Sequence, residues 1–332
     1  MLSFAIGEFL AKSILLILPR RWSNRIKENS GEMEVYVLRT STFKTKPRMT
    51  LIEGVFATIL FDLALFGTSN PIINAIIRLF TNLQNSWDNK FASSDVATTQ
   101  ITEFCNKLSI QQDPWIWEKD IGDYTCLNDF FARTYKEEYY PPLGDGLVVS
   151  PACCTLTRYN DDAQVKSVLI KGCDYQIEDI GLPSDDVHKY KENHIFIGYL
   201  SPTDYHRVHS PIGGKIVHCS LEGANVRSAS VKFFGGKFNI MNENKRLVVV
   251  IESGSMRVAL VVIGGIGVDT IVYNTAMLGK EIKKGEEIST FRAGGSAIAM
   301  FSTARLELSP EYINASKDFT PVEVLVGESL TK

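Results

Sequence analysis

The chain has no CxxC pair, no block of Lys and Arg, no long uninterrupted apolar run, and only five histidines in 332 residues. Each absence removes a class of protein. Without CxxC spacing or paired His and Cys, the six cysteines (Cys105, Cys126, Cys153, Cys154, Cys173 and Cys219) build neither a structural zinc site nor a disulfide scaffold. They fit a reducing compartment, and no metal site is expected. Cys153 and Cys154 are adjacent; two thiols in a buried strand are expected there rather than a strained vicinal disulfide. With 35 basic and 38 acidic residues the net charge is -3, which gives a nucleic-acid backbone nothing to hold. What is present is 45% hydrophobic residues, which excludes wholesale disorder and suffices for one large domain or two smaller ones.

The first eighteen residues are mostly apolar, but Glu8 and Lys12 interrupt them and Pro19, Arg20, Arg21 and Arg25 close them. That is too short and too broken for a membrane span. Phe4, Gly7, Leu10, Ala11, Ile14, Leu15 and Leu18 recur at helical spacing, so the segment reads as an amphipathic helix, either lying on a bilayer or packed on the protein's own core. Further helical patterns occupy 51–67, 71–83 and 93–106, the last with Ile101, Phe104, Cys105 and Leu108 as its stripe. After Pro141 the texture changes to short β-branched runs punctuated by glycine: Leu147–Val149, Val165–Ile170, His194–Leu200, Leu247–Ile251 and Met256–Ile263. The expected class is α+β, with a mainly helical region at 1–135 followed by a β-rich core at 136–332 of barrel or sandwich character. Lys215–Val217 and Glu281–Thr290 carry the turn-glycine texture of lipoyl-like barrels.

Two segments carry chemistry. Tyr199–Gly214 (YLSPTDYHRVHSPIGG) sets His206 and His209 three residues apart among turn formers, and Phe291–Phe301 (FRAGGSAIAMF) sets Ser296 directly after Gly294 and Gly295. Alone, a Gly-Gly-Ser is more often a flexible turn and an HxxH pair more often structural. Together they read as a serine worked on by histidine, the glycines permitting the bend that lets a hydroxyl reach the preceding carbonyl. His188, His194 and His218 read as structural.

Both segments resemble the phosphatidylserine decarboxylase family, with its YLSPxDYHRxHxPxxG signature and its GST or GGST cleavage signature. Leu127–Arg133 (LNDFFAR), Val149–Ala152 (VSPA), Ile170–Tyr175 (IKGCDY), Asn242–Arg246 (NENKR) and Lys284–Phe291 (KGEEISTF) follow in that family's order. The resemblance covers about 115–305 and implies a proenzyme that cuts itself between Gly295 and Ser296. The serine forms an ester with the preceding glycine, and β-elimination then leaves a pyruvoyl group made from Ser296 on a small chain, 296–332. The small chain stays associated with the large chain, 1–295. It also implies that this self-made cofactor takes the amine of phosphatidylserine, or of a related amine-bearing substrate, as a Schiff base and releases carbon dioxide. His209 matches the position that assists self-cleavage, His206 the one that assists decarboxylation. The apolar N-terminal helices favour a membrane substrate and a membrane-associated, intracellular location, mitochondrial or endomembrane in a eukaryote.

The sequence departs from the family's pattern at two positions. Cys153 stands where the SPADG stretch carries an aspartate that orients the cleavage histidine, and Ala297 replaces the usual threonine. A thiolate at Cys153 taking over the electrostatic task, rescue by another acid such as Asp269, and an unprocessed lipid-binding relative are the three consequences open. Decarboxylation of free aromatic amino acids is the alternative activity.

Overall fold

The computed structural model describes residues 32–47, 97–108, 117–159, 168–170, 173–175, 177–183, 187–191, 193–201, 203–223, 244–265, 271–292, 296–317 and 320–332. The apolar segments at 1–18, 51–67 and 71–83, and with them most of the expected helical region, lie outside these residues. The chain divides into two compact units, one of residues 1–35 and 43–81 and one of 36–42 and 82–332. In the smaller unit the described residues, 32–35 and 43–47, are extended; they belong to strands β1 (Glu32–Val37) and β2 (Thr42–Pro47).

The larger unit is β-rich. Its strands are β3 (Cys154–Tyr159), β4 (Val168–Ile170), β5 (Cys173–Tyr175), β6 (Ile195–Leu200), β7 (Arg207–His209), β8 (Gly214–Glu222), β9 (Arg246–Ser253), β10 (Met256–Gly264), β11 (Ile271–Tyr273), β12 (Glu281–Ile282), β13 (Glu287–Phe291), β14 (Ser296–Ser302) and β15 (Val322–Val324). Its helices are α1 (Ala97–Leu108), α2 (Leu127–Phe131), α3 (Val187–Lys191) and α4 (Pro310–Ala315). The main sheet runs β12-β8-β9-β10-β14-β6-β3-β15, and Tyr36 and Val37 of β1 add to β15 in parallel. This is the expected α+β, β-rich class, and the sheet is open, without a closed barrel among the described residues.

The centre of this sheet follows from uninterrupted β-branched and aliphatic runs. RLVVVIES and MRVALVVIG form the β9–β10 hairpin, turning through Gly254 at a φ of 60° and Ser255, because a two-residue hairpin loop needs a positive φ that glycine supplies freely. Leu247–Ile251 and Val258–Ile263 are buried on both faces, as continuous rather than alternating apolar strands should be. β14 is buried throughout between β10 and β6. Gly198 of β6 must lack a side chain, since a Cβ there would meet Ile298 at 2.7 Å and the Cys154 thiol at 2.8 Å. α4, capped by the Ser309 hydroxyl accepting from the Tyr312 N–H, adds Tyr312 and Ala315 to the same core. α1 buries Ile101 and Cys105 against Tyr124 and Phe130, using the stripe read from the sequence.

A second sheet, β11-β13-β7, meets the first at a corner. β6 pairs with β14 down to Leu200↔Ser296, and β7 pairs with β13 from Arg207↔Thr290. One antiparallel two-stranded ribbon therefore passes from sheet to sheet and loses its pairing at the bend. The described residues at that bend are Ser201 and residues 203–206 on one strand and Arg292 on the other. The Phe291 N–H donating to the His206 carbonyl at 2.9 Å marks where pairing resumes.

Candidate active site

Ser296 opens β14 on the large-sheet side of the bend. It is fully buried, and its Oγ has no hydrogen-bond partner. Ala297, next along the strand, is fully buried and pairs with Tyr199 and Ile263, a position closed to solvent. Gly294, Gly295 and Asp269 lie outside the described residues.

The two histidines enter on the other strand of the bend. In extended backbone, residues three apart point to opposite faces, and the two rings indeed occupy different surroundings. His206 packs its ring 3.9 Å from that of Phe131 and edge-on to Phe291 at 6.5 Å. Its Nδ1 lies 2.8 Å from the Asp204 carbonyl oxygen, which assigns the N–H to Nδ1 and makes the buried Nε2 the basic nitrogen.

His209 sits among tyrosines. Its Nδ1–H donates to the Gly285 carbonyl at 2.9 Å, and its Nε2 accepts from the Tyr205 hydroxyl at 3.0 Å. The Tyr140 hydroxyl lies 3.2 Å from both nitrogens, over the ring edge between them. Burial lowers the His209 pKa, while the Gly285 bond and the Glu287 carboxylate pull the other way without cancelling it. The imidazole is therefore neutral at physiological pH. Tyr140 and Tyr205 are pushed up, chiefly by burial, and stay protonated as donors.

This arrangement has a consequence for stability. The folded chain binds the His209 proton less readily than the unfolded chain does, so protonation favours unfolding. The contribution of neutral His209 is whole above its ordinary value of 6.5 and is lost as pH falls toward the lowered one. Melting midpoints measured from pH 8 to pH 5.5 are expected to drop below about pH 6.5, and to drop less in His209→Gln. An identical pH dependence in the two proteins would contradict this assignment.

Cys153, at 5% exposure, is buried with Tyr205 and Val326, flanked by Trp117, Tyr135 and Leu325. Its sulfur accepts from the Val326 N–H at 3.3 Å and lies 3.6 Å from the Tyr135 hydroxyl. Cys153 and Cys154 are free thiols, the latter in the main core. The stretch before Cys153 reaches β7 directly, since the His209 N–H donates to the Pro151 carbonyl at 2.7 Å. Tyr205 joins the two neighbourhoods, packing with Cys153 and bonding His209 through its hydroxyl.

The strands that carry Ser296, His206 and His209 thus meet at the bend, with Cys153 packed beside Tyr205, which bonds His209. Sequence reading missed Tyr140, Tyr205, Arg133 and Gly285 as site residues. Tyr205, Arg133 and Gly285 stood inside the quoted motifs; Tyr140 carried no local signal. Gly214, the last residue of the histidine motif, serves the fold, because a Cβ there would collide with the Glu252 carbonyl. His218 lies in β8 with its Nε2 3.0 Å from the Ser220 hydroxyl.

The model of the family described as phosphatidylserine decarboxylase matches residues 127–331, more than half of the chain and all of the bend. The chain belongs to the phosphatidylserine decarboxylase family. Members of this family are carboxy-lyases made as proenzymes. Among similar proteins, the phosphatidylserine decarboxylase proenzyme of Geobacillus kaustophilus is 29% identical over 263 residues, covering 77% of this chain and 95% of the relative. The proenzyme of that name from Fusobacterium nucleatum is 26% identical, over 74% of this chain and 81% of the relative. That from Chlamydia trachomatis is 29% identical, over 64% and 71%.

Proposed function

We propose that this protein is a self-processing, pyruvoyl-dependent decarboxylase that converts phosphatidylserine to phosphatidylethanolamine and carbon dioxide. The observation that carries this reading is the Ser296 hydroxyl, fully buried and unbonded at the first position of β14. A buried hydroxyl without a partner costs about 1–3 kcal/mol, and a catalytic role is one of the reasons a native structure keeps such a group. Directly after two glycines, this serine fits the precursor of a pyruvoyl group.

In that role Oγ of Ser296 bonds to the Gly295 carbonyl carbon while the Gly295–Ser296 C–N bond breaks, the nitrogen gaining the hydroxyl proton. Elimination across Cα–Cβ of Ser296 then releases the Gly295 carboxylate, and water replaces the nitrogen, which leaves as ammonia. The pyruvoyl carbonyl, once formed, supplies an electron sink for an amine substrate losing carbon dioxide. His209, neutral and bonded through Nε2 to Tyr205, is the base toward Ser296. His206, with its N–H held on Nδ1, moves a proton at Nε2 during decarboxylation. The small chain, 296–332, would contain β14, α4 and β15, so the middle of the main sheet would hold it to the large chain.

The domain division near residue 135 and attachment to a membrane surface by the apolar N-terminal segment belong to the same proposal. Among the described residues no helix is long and apolar enough to cross a membrane. A second reading, an unprocessed lipid-binding relative, draws on the thiol at the family's aspartate position. Incubation with phosphatidylserine vesicles is expected to yield phosphatidylethanolamine and carbon dioxide in equal amounts, with free aromatic amino acids left untouched. Turnover of the amino acids alone would give the substrate class to the alternative activity. Turnover of neither would favour the binding protein.

A further inference from the structure

Arg133, the last residue of the LNDFFAR segment, is 2% exposed. Its guanidinium lies 4.4 Å from the centre of the Trp117 ring and 4.7 Å from that of Phe130. The hydrogen bonds described for it run to main-chain carbonyls: Nη1 to Phe130 at 3.3 Å, and Nη2 to Thr203 at 2.8 Å and to Asp204 at 3.1 Å. The Asp204 carbonyl is also the acceptor that holds Nδ1–H of His206 at 2.8 Å. One carbonyl oxygen, with its two lone pairs, thus receives the buried guanidinium and the imidazole together.

Burying a cation is costly, and main-chain carbonyls repay that cost only in part. Its position makes sense of the expense. Ser201 and residues 203–205 lie outside the strands, in a turn closed by the Asp204 N–H donating to the Ser201 carbonyl and the Ser201 N–H donating to the Asp204 carboxylate, each at 2.8 Å. The fork of Nη2 to two successive carbonyls adds a direct hold on the Asp204 carbonyl itself. Through that carbonyl it fixes which nitrogen of His206 carries the proton.

We infer that Arg133 is a positioning residue for His206, acting through the shared Asp204 carbonyl to hold the N–H on Nδ1 and present Nε2 to the site. The inference rests on the proposed role of His206 only for its effect on turnover; the coupling of the two side chains stands on geometry. Lysine has three donors on a compact ammonium but no planar fork, so it does not reproduce the three carbonyl contacts that the guanidinium makes with Phe130, Thr203 and Asp204.

The test is ¹⁵N NMR of histidine-labelled, full-length protein carrying Ser296→Ala, which keeps every sample in one covalent state. His206→Asn assigns the signal. The expected spectrum shows His206 protonated on Nδ1, mixed between tautomers in Arg133→Met and intermediate in Arg133→Lys, with the other four histidines unchanged. Should Arg133→Met fail to fold, Arg133→Lys carries the comparison. An Nε2-protonated His206, or a spectrum unmoved by either folded variant, overturns the inference. In processed protein with Ser296 intact, Arg133→Met is expected to lower kcat on the order of 10–100-fold, as second-layer partners of functional histidines do, with KM unchanged. It should add no further loss to His206→Ala. Full activity of His206→Ala would refute the role given to His206 and leave the NMR result to decide the coupling.

Discussion

Replacing His209 by alanine is expected to leave the chain whole, whereas replacing His206 by alanine gives a chain that splits and then fails to turn over substrate. The two rings lie three residues apart on one strand of the bend but face different surroundings. His209 is neutral and hydrogen-bonded at Nε2 to Tyr205, and neutrality is one requirement of the base proposed toward Ser296. His206 is buried against Phe131 and Phe291, with its N–H committed to Asp204. A positioned acid or base contributes roughly 10²–10⁴-fold, so each loss should be near complete on its own step. Splitting is read on a denaturing gel, and turnover by carbon dioxide release from the split fraction. Loss of splitting in His206→Ala with normal splitting in His209→Ala would exchange the two roles.

Cys153→Asp is expected to accelerate splitting. The resemblance to the family implies a carboxylate there to orient the cleavage histidine, and the loss of a comparable orienting carboxylate from a serine–histidine pair costs about 10⁴-fold. The position is already equipped for an acceptor, with the Val326 N–H directed at the sulfur and the Tyr135 hydroxyl close to it. A carboxylate would inherit two donors and act on His209 across Tyr205. The rate of splitting, followed from the freshly translated chain, should rise on the order of 10²-fold or more. An unchanged rate would mean that Tyr205 and Gly285 already hold His209 as well as a carboxylate could.

Much of this was legible in the sequence, for identifiable reasons. RLVVVIES and MRVALVVIG are unbroken β-branched runs around a glycine turn, and such a pattern has few other structures available to it. Ile101 and Cys105 sat on a helical stripe and are buried as read. The two motifs pointed to Ser296, His206 and His209, and the bent ribbon brings their strands together. The pairing of His209 with Tyr140 was not legible, because contacts between residues 69 apart leave no periodic trace. Nor was the contact of Arg133 with the Asp204 carbonyl, 71 residues away. The strand Glu32–Val37 was missed although EMEVYV alternates polar and apolar residues as a strand should, its signal lying between stretches read as helical. The cysteine at 153, where the resemblance implies an aspartate, was visible at once, but Tyr135 and Tyr205 beside it were not.

The central claim is that Ser296 becomes the first residue of a small chain. The intact mass of the purified protein under denaturing conditions, with Ser296→Ala as control, tests it most directly. The account predicts two masses, one for residues 1–295 and one for 296–332 carrying a blocked pyruvoyl terminus, and a single whole chain from the control. A wild-type chain that stays whole through long incubation would contradict it.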